Sequence, residues 1–318
     1  MIARLPWGGL ARPSDQVPGD VTILGVPFDG GACWRIGAAQ APRRLREISD
    51  TSPAISEDGF VVEPEAFRVY DVGDVEPEPR EPRVEYFARV ELAARAALQS
   101  SGFLLSIGGD HSVSIPLLQA FAGTGGPFGV VLLDAHPDLF DSYDGSTLAN
   151  ACPMRRALDA GLRPEHLIIL GTRSYNREEL EFMHAKGIRF VPARALARSG
   201  VDAAVALARE RLAGLSRVYL TVDIDVADPA CAPGTGSPVA GGLSSRELLD
   251  LTRGLLESLP VKAMDLVEVS PPLDPTDATL FLALQIAFET FAVLARKGEH
   301  PRRQAPGRPP ARRNGRRA

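Results

Sequence analysis

The stretch VVLLDAHPDLF, residues 130–140, opens with four branched apolar residues and then sets Asp134, His136 and Asp138 at alternate positions. A short apolar run rich in Val and Leu is the pattern of a strand covered on both faces. Residues two apart on an extended segment point the same way, so the three polar side chains can aim at one point beyond the strand. Between them lie Ala135 and Pro137, both apolar, as positions facing a scaffold should be. Two other runs end alike. LLSIGGDHS (104–112) delivers Asp110 and His111, and YLTVDIDVADP (219–229) delivers Asp223 and Asp225.

Outward from this stretch, eight apolar runs read as strands: VTILGVPF (21–28), FRVYDVG (67–73), FLLSIGG (103–109), GVVLLD (129–134), HLIILGT (166–172), IRFVPA (188–193), VYLTVD (218–223) and AMDLVEV (263–269). Amphipathic segments at 84–100, 201–214 and 244–259 alternate with them, and Ser244 with Glu247 forms a capping box that marks a helix start. Strand–helix alternation over the whole length predicts an α/β fold, a mostly parallel sheet with helices on both faces. In such sheets ligands bind beyond the carboxyl ends of the strands, where the Asp and His residues fall. No repeat or Pro/Gly linker divides the body, so residues 18–296 read as one domain. Residues 1–17 form an N-terminal extension and residues 297–318 a tail.

Charge separates tail from body. The 318 residues carry a formal net charge of −5, but 297–318 hold Lys297 and seven Arg against Glu299 alone, +7, which leaves −12 for the rest. An acidic body suits cationic ligands and metal ions better than nucleic acid. The tail, poor in apolar residues, reads as disordered. The chain has no run of eighteen apolar residues and no leader-type start, and its three scattered cysteines (Cys33, Cys152, Cys231) make no disulfide framework. These features predict a cytoplasmic protein with no membrane partner.

Counting ligand-type residues indicates what is bound. His111, Asp134, His136, Asp138, Asp223 and Asp225 supply four carboxylates and two imidazoles. One ion needs fewer, whereas two ions sharing carboxylates need about this set. Without cations, carboxylates packed together repel and resist ionisation. Oxygen-rich donors with some imidazole favour two Mn²⁺, with Ni²⁺, Co²⁺, Fe²⁺ and Zn²⁺ also compatible. Two ions about 3.5–4 Å apart bring the pKa of a shared water from about 15.7 towards 7, which gives a hydrolase its nucleophile. Asp110 and Asp228 read instead as helix N-caps, and His166, His184 and His300 as ordinary core or surface histidines.

The segments GGDHS, DAHPD, TVDIDVADPACAPGTGSPVAGGLSSRELL and MDLVEVSPPLD resemble those of the ureohydrolase (arginase/agmatinase) family, as does GVPFDGGACWRIGAAQAPRRLRE (25–47). The resemblance spans residues 21–295. It implies a three-layer α/β/α fold with an eight-stranded, mostly parallel sheet, and hydrolysis of a small cationic guanidino substrate to urea and an amine. It also implies a homo-oligomer, trimer or hexamer. By resemblance, His111 and Asp138 hold one Mn²⁺, His136 and Asp225 the other, and Asp134 and Asp223 bridge. Glu268 matches the glutamate that pairs with the substrate guanidinium, whereas proton transfer, with no titratable residue at position 150, falls to Asp138 or to water. APGTGSP (232–238) is similar to the agmatinase-type form, which favours substrates without an α-amino-acid head. One departure stands out: LANACPMRRAL puts Asn150, a candidate substrate-binding residue, where the family carries a histidine. Asn cannot titrate, though it both donates and accepts hydrogen bonds.

Overall fold

In the computed structural model, residues 6–11 and 19–303 are described. The eight apolar runs form eight strands: β1 Val21–Gly25, β2 Val69–Asp74, β3 Leu104–Ile107, β4 Gly129–Leu133, β5 Leu167–Thr172, β6 Arg189–Pro192, β7 Val218–Asp223 and β8 Val261–Val267. They lie in one sheet in the order β2-β1-β3-β8-β7-β4-β5-β6. Every pairing is parallel, so the expected "mostly parallel" sheet is parallel throughout. The helices are α1 Ala41–Ser49, α2 Arg83–Ser100, α3 Ser114–Ala122, α4 Pro153–Asp159, α5 Arg177–Lys186, α6 Ala193–Ser199, α7 Val201–Arg211, α8 Ser245–Ser258 and α9 Ala278–Arg303.

Alternation along each strand divides the core in two. Leu105, Val131, Leu133, Ile168, Leu220 and Val222 pack on one face with α1, α6, α7, α8 and α9. Their neighbours Leu104, Val130, Leu132, Leu167 and Tyr219 pack on the other with α2, α3, α4 and α5. Strands covered on both sides read as continuous apolar runs, and the result is a three-layer α/β/α architecture. Helix α8 begins as its sequence implies: Ser244 Oγ accepts from the Glu247 amide, and Glu247 reaches back to the Ser244 amide at 2.9 Å.

Two segments behave differently from their sequence reading. Trp7, in the expected extension, is fully buried. Its indole Nε1 donates to Asp71 at 2.6 Å, its amide donates to Ser49 Oγ, and its ring meets Phe291 edge-on at 6.2 Å. Helix α9 continues past Lys297 to Arg303, while the expected disorder beyond it lies outside the described residues. Ala278–Gly298 is long and apolar enough to cross a membrane, which the count of consecutive apolar residues had not revealed, but 72% of its apolar window is buried inside the protein. A central core helix meets the same test.

Candidate metal centre

The four central strands, β3, β8, β7 and β4, deliver the six predicted metal ligands and Glu268 beyond their carboxyl ends, and Asn150 comes from the segment between β4 and α4. At three of these ends the chain turns in the same way. Asp110 Oδ1 accepts the Ser112 amide at 2.9 Å, Asp134 Oδ1 the His136 amide at 2.6 Å, and Asp223 Oδ1 the Asp225 amide at 2.9 Å. An Asp that binds the N–H two residues on makes its own turn. The expected extended alternation therefore stops at the strand ends: β4 closes at Leu133, and Asp225 lies in the short 3₁₀ turn Ile224–Val226. The convergence is kept because Asp134 with His136 and Asp223 with Asp225 still face one cluster, which His111 joins from the turn that Asp110 caps. Asp138 (φ 52°) and Glu268 (φ 61°) adopt left-handed backbone, uncommon for residues with a Cβ and concentrated at functional sites.

The six predicted ligands meet. His111 Nδ1 lies 2.8 Å from Asp138 Oδ2, 3.1 Å from Asp134 Oδ2 and 3.2 Å from Asp223 Oδ2. His136 Nδ1 lies 3.1 Å from Asp225 Oδ2 and 3.4 Å from Asp134 Oδ1. Two groups have metal-ligand geometry, His111–Asp134–Asp223 and Asp134–His136–Asp225, and Asp134 belongs to both. The buried atoms His111 Nδ1 and Asp134 Oδ2 have no hydrogen-bond partner, as donors kept for cations would. The residues present therefore fit a pair of divalent ions.

Electrostatics agree. Burial pushes the Asp138 carboxyl up to about 6, with Asp134 adding to the rise. Asp223 is driven well above the usual range by burial and by Asp225 and Asp134. Burial opposes charge on His111, yet Asp134, Asp138 and Asp223 together raise it well above its usual value. The pocket thus holds an excess of negative charge that its two imidazoles only partly offset, a field that favours cations.

Glu268 stands beside this cluster. Its Oε1 accepts the His111 amide at 2.9 Å and Asn150 Nδ2 at 3.1 Å. Burial, then Asp110, pushes its carboxyl up to about 8. Glycines make room for it. A Cβ at Gly236 would lie 3.2 Å from Glu268 Oε2 and 2.9 Å from the Arg35 carbonyl, while Gly109, whose carbonyl accepts the Glu268 amide at 2.8 Å, has no room for a Cβ against Phe28. Asn150 is placed by its amide, which donates to Gly31 O.

The other sequence readings resolve as follows. Asp110 caps the turn His111–Val113 and also accepts Gly31 N at 2.6 Å. Asp228 caps no helix. It braces a loop by accepting the amides of Ala230, Gly241 and Gly242. Cys152 is buried, which pushes its thiol up to about 11, and among the described residues all three cysteines are free. Two buried carboxylates close to the cluster were missed. Glu179 accepts the Leu139 amide at 3.0 Å beside Asp138, and its Asn176-x-x-Glu179 capping box was a readable signal. Asp265 sits inside β8, where one charge in an apolar run was the signal.

A cavity of about 240 Å³ opens onto the cluster, lined by His136, Asp138, Asp223, Asp225 and Glu268 at its base. Its outer wall comprises Phe140, Tyr143, Asn150, Tyr175 and neighbouring small or polar residues.

Fold and site together define an α/β protein whose ligand cluster, at the carboxyl edge of a parallel sheet, fits two metal ions. Residues 19–292 match the Arginase family. The chain is 35% identical over 286 residues to a guanidinopropionase of Pseudomonas aeruginosa, covering 89% of each. It is also 35% identical over 303 residues to an agmatinase of Escherichia coli, covering 93% of this chain and 94% of the other. The structure of proclavaminate amidinohydrolase from Streptomyces clavuligerus matches with a TM-score of 0.82 at 34% identity, covering 92% of this chain and 96% of that one. The chain belongs to the arginase family.

Proposed function

We propose that the protein is an amidinohydrolase that cleaves a guanidino compound without an α-amino-acid head into urea and an amine. The observation that carries this reading is the convergence of His111, Asp134, His136, Asp138, Asp223 and Asp225 beside a buried Glu268. His111 and Asp138 would hold one ion and His136 and Asp225 the other, with Asp134 and Asp223 offering carboxylates between them. When bound, such a pair would supply a water acidic enough, towards a pKa of about 7, to attack as hydroxide at neutral pH. Glu268 offers the planar guanidinium a planar acceptor, the charge-assisted geometry that fixes orientation. Asn150 steadies Glu268 Oε1 and so helps place the substrate. Asp138, which lines the cavity, would take a proton from the attacking water and pass it to the departing nitrogen as the C–N bond breaks.

The cavity wall bears on the tail of the substrate. Among the described residues no Lys or Arg lines it, whereas Glu179 does. A carboxylate tail would meet no counter-charge there, so agmatine-like tails, cationic or neutral, are favoured over guanidino acids. Urea release from agmatine compared with 3-guanidinopropionate and 4-guanidinobutyrate tests this, and faster turnover of either acid refutes it. Asn150 favours a second reading, a catalytically weak metal-binding member of the family. Two ions per chain with no urea from any guanidine would select it. Manganese as the cellular metal, a trimeric or hexameric assembly and a cytoplasmic location complete the proposal. The acidic body supports the absence of nucleic-acid binding.

A further inference from the structure

Asp265 poses a problem that the reaction itself does not answer. It lies in the middle of β8, is fully buried, and makes no ion pair with Lys or Arg among the described residues. A buried carboxylate without a cationic partner is costly, and an apolar residue there would be cheaper. Its Oδ2 accepts Ser114 Oγ at 2.7 Å and Tyr219 OH at 2.8 Å, while Oδ1 lacks a partner with good geometry. Across the β7–β8 ladder its register partner is Thr221, which sets the two side chains side by side on the sheet. On its other side, Thr221 Oγ1 lies 3.0 Å from His111 Nε2, and both groups are buried.

These contacts form a chain with one consistent proton assignment. His111 Nδ1 faces Asp134, Asp138 and Asp223, so the ring must keep that lone pair for an ion and carry its hydrogen on Nε2. Nε2–H then donates to Thr221 Oγ1. The single hydroxyl hydrogen of Thr221 is left for Asp265, whose Oδ1 needs a donor. We propose that Asp265, acting through Thr221, is a positioning residue that fixes the Nδ1-metal tautomer and the ring orientation of His111, and so sets the affinity of one of the two metal sites. The inference rests on the metal-centre reading above. Partners behind a ligating histidine commonly change metal affinity by about 10–100-fold when removed.

The test is Mn²⁺ titration of the metal-free protein, with free Mn²⁺ followed by electron paramagnetic resonance and no substrate present. Thr221→Val keeps the shape and removes the hydroxyl. It should weaken one of the two ions by about 10–100-fold and leave the other within a few-fold. Thr221→Ser should restore wild-type binding. Tyr219→Phe removes a hydrogen bond to the other oxygen of Asp265. It should lower the thermal midpoint of the metal-free protein without the selective loss of one ion, whereas a merely structural network would make it behave like Thr221→Val. Wild-type affinities in Thr221→Val, or failure of Thr221→Ser to restore them, would overturn the proposal. Wild-type protein that binds no divalent ion would overturn the metal-centre reading along with it.

Discussion

At the scale of single residues, charge and proton capacity separate Glu268 from Asn150. Glu268→Gln keeps an acceptor for the His111 amide and removes the negative charge. Leaving a guanidinium without its charged partner typically costs about 2–5 kcal/mol, so kcat/KM should fall by at least about 30-fold while two ions remain bound. Steady-state kinetics beside metal analysis check this, and unchanged kcat/KM would remove Glu268 from the site. Asn150→His introduces a group that titrates between pH 5 and 8. A positioned acid–base group contributes about 10²–10⁴-fold, so turnover of agmatine should rise and its pH–rate profile gain a limb in that range. An unchanged profile would mean that position 150 takes no part in proton transfer. The metal ligands were legible in the sequence because each follows an apolar run directly. Asp265 and Glu179 were less so, because their partners, Thr221 and Leu139, lie 44 and 40 positions away in the chain and meet them only through the fold.

At the scale of elements, chain turns and helix starts do the positioning. Three strands end in an Asp that receives the amide two residues on, and this turn, not a continued strand, gathers the ligands. The apolar alternation showed where strands stop only approximately, since a strand end depends on where its neighbour's ladder ends. The start of α9 shows the same economy. Asp274 accepts the amides and hydroxyls of Thr276 and Thr279. Burial works to raise its pKa, but these donors outweigh it and bring the carboxyl to about 2, against an ordinary 3.8. A depressed folded pKa stabilises the protein above the unfolded value, and that stability is lost as pH falls towards the folded one. Asp274→Asn should therefore cost about 2 kcal/mol at pH 5. About half of that difference should be gone by pH 3. Urea denaturation of both proteins at the two pH values measures it, and a difference that does not change with pH would contradict the assignment.

At the scale of the whole molecule, the parallel sheet is the reason that scattered sequence motifs become one site. Strands β3, β8, β7 and β4 are adjacent in space though separated in the chain, and all run the same way, so their carboxyl ends form one edge. Alternation of strands and helices predicted that edge, but strand order depends on which faces pack together and could not be read from any single run. The N-terminal extension shows the same dependence on the whole fold. Trp7 stands in a Pro- and Gly-rich stretch with no strand or helix pattern of its own, yet it fills the core against Phe291 and is tied to Asp71. Trp7→Ala should lower stability by about 3–5 kcal/mol in urea denaturation, and a loss below 1 kcal/mol would show that this segment only rests on the surface. The central claim is that an acidic body with two shared-carboxylate ligand groups is a guanidino hydrolase. Its most direct test is urea release by purified protein as Mn²⁺ or Ni²⁺ is added to the metal-free form, with agmatine as substrate. Urea should appear in step with the binding of two ions per chain and vanish in Asp134→Ala, which removes the ligand common to both groups. Protein holding two ions per chain that releases no urea from agmatine or any other guanidino compound would contradict the account.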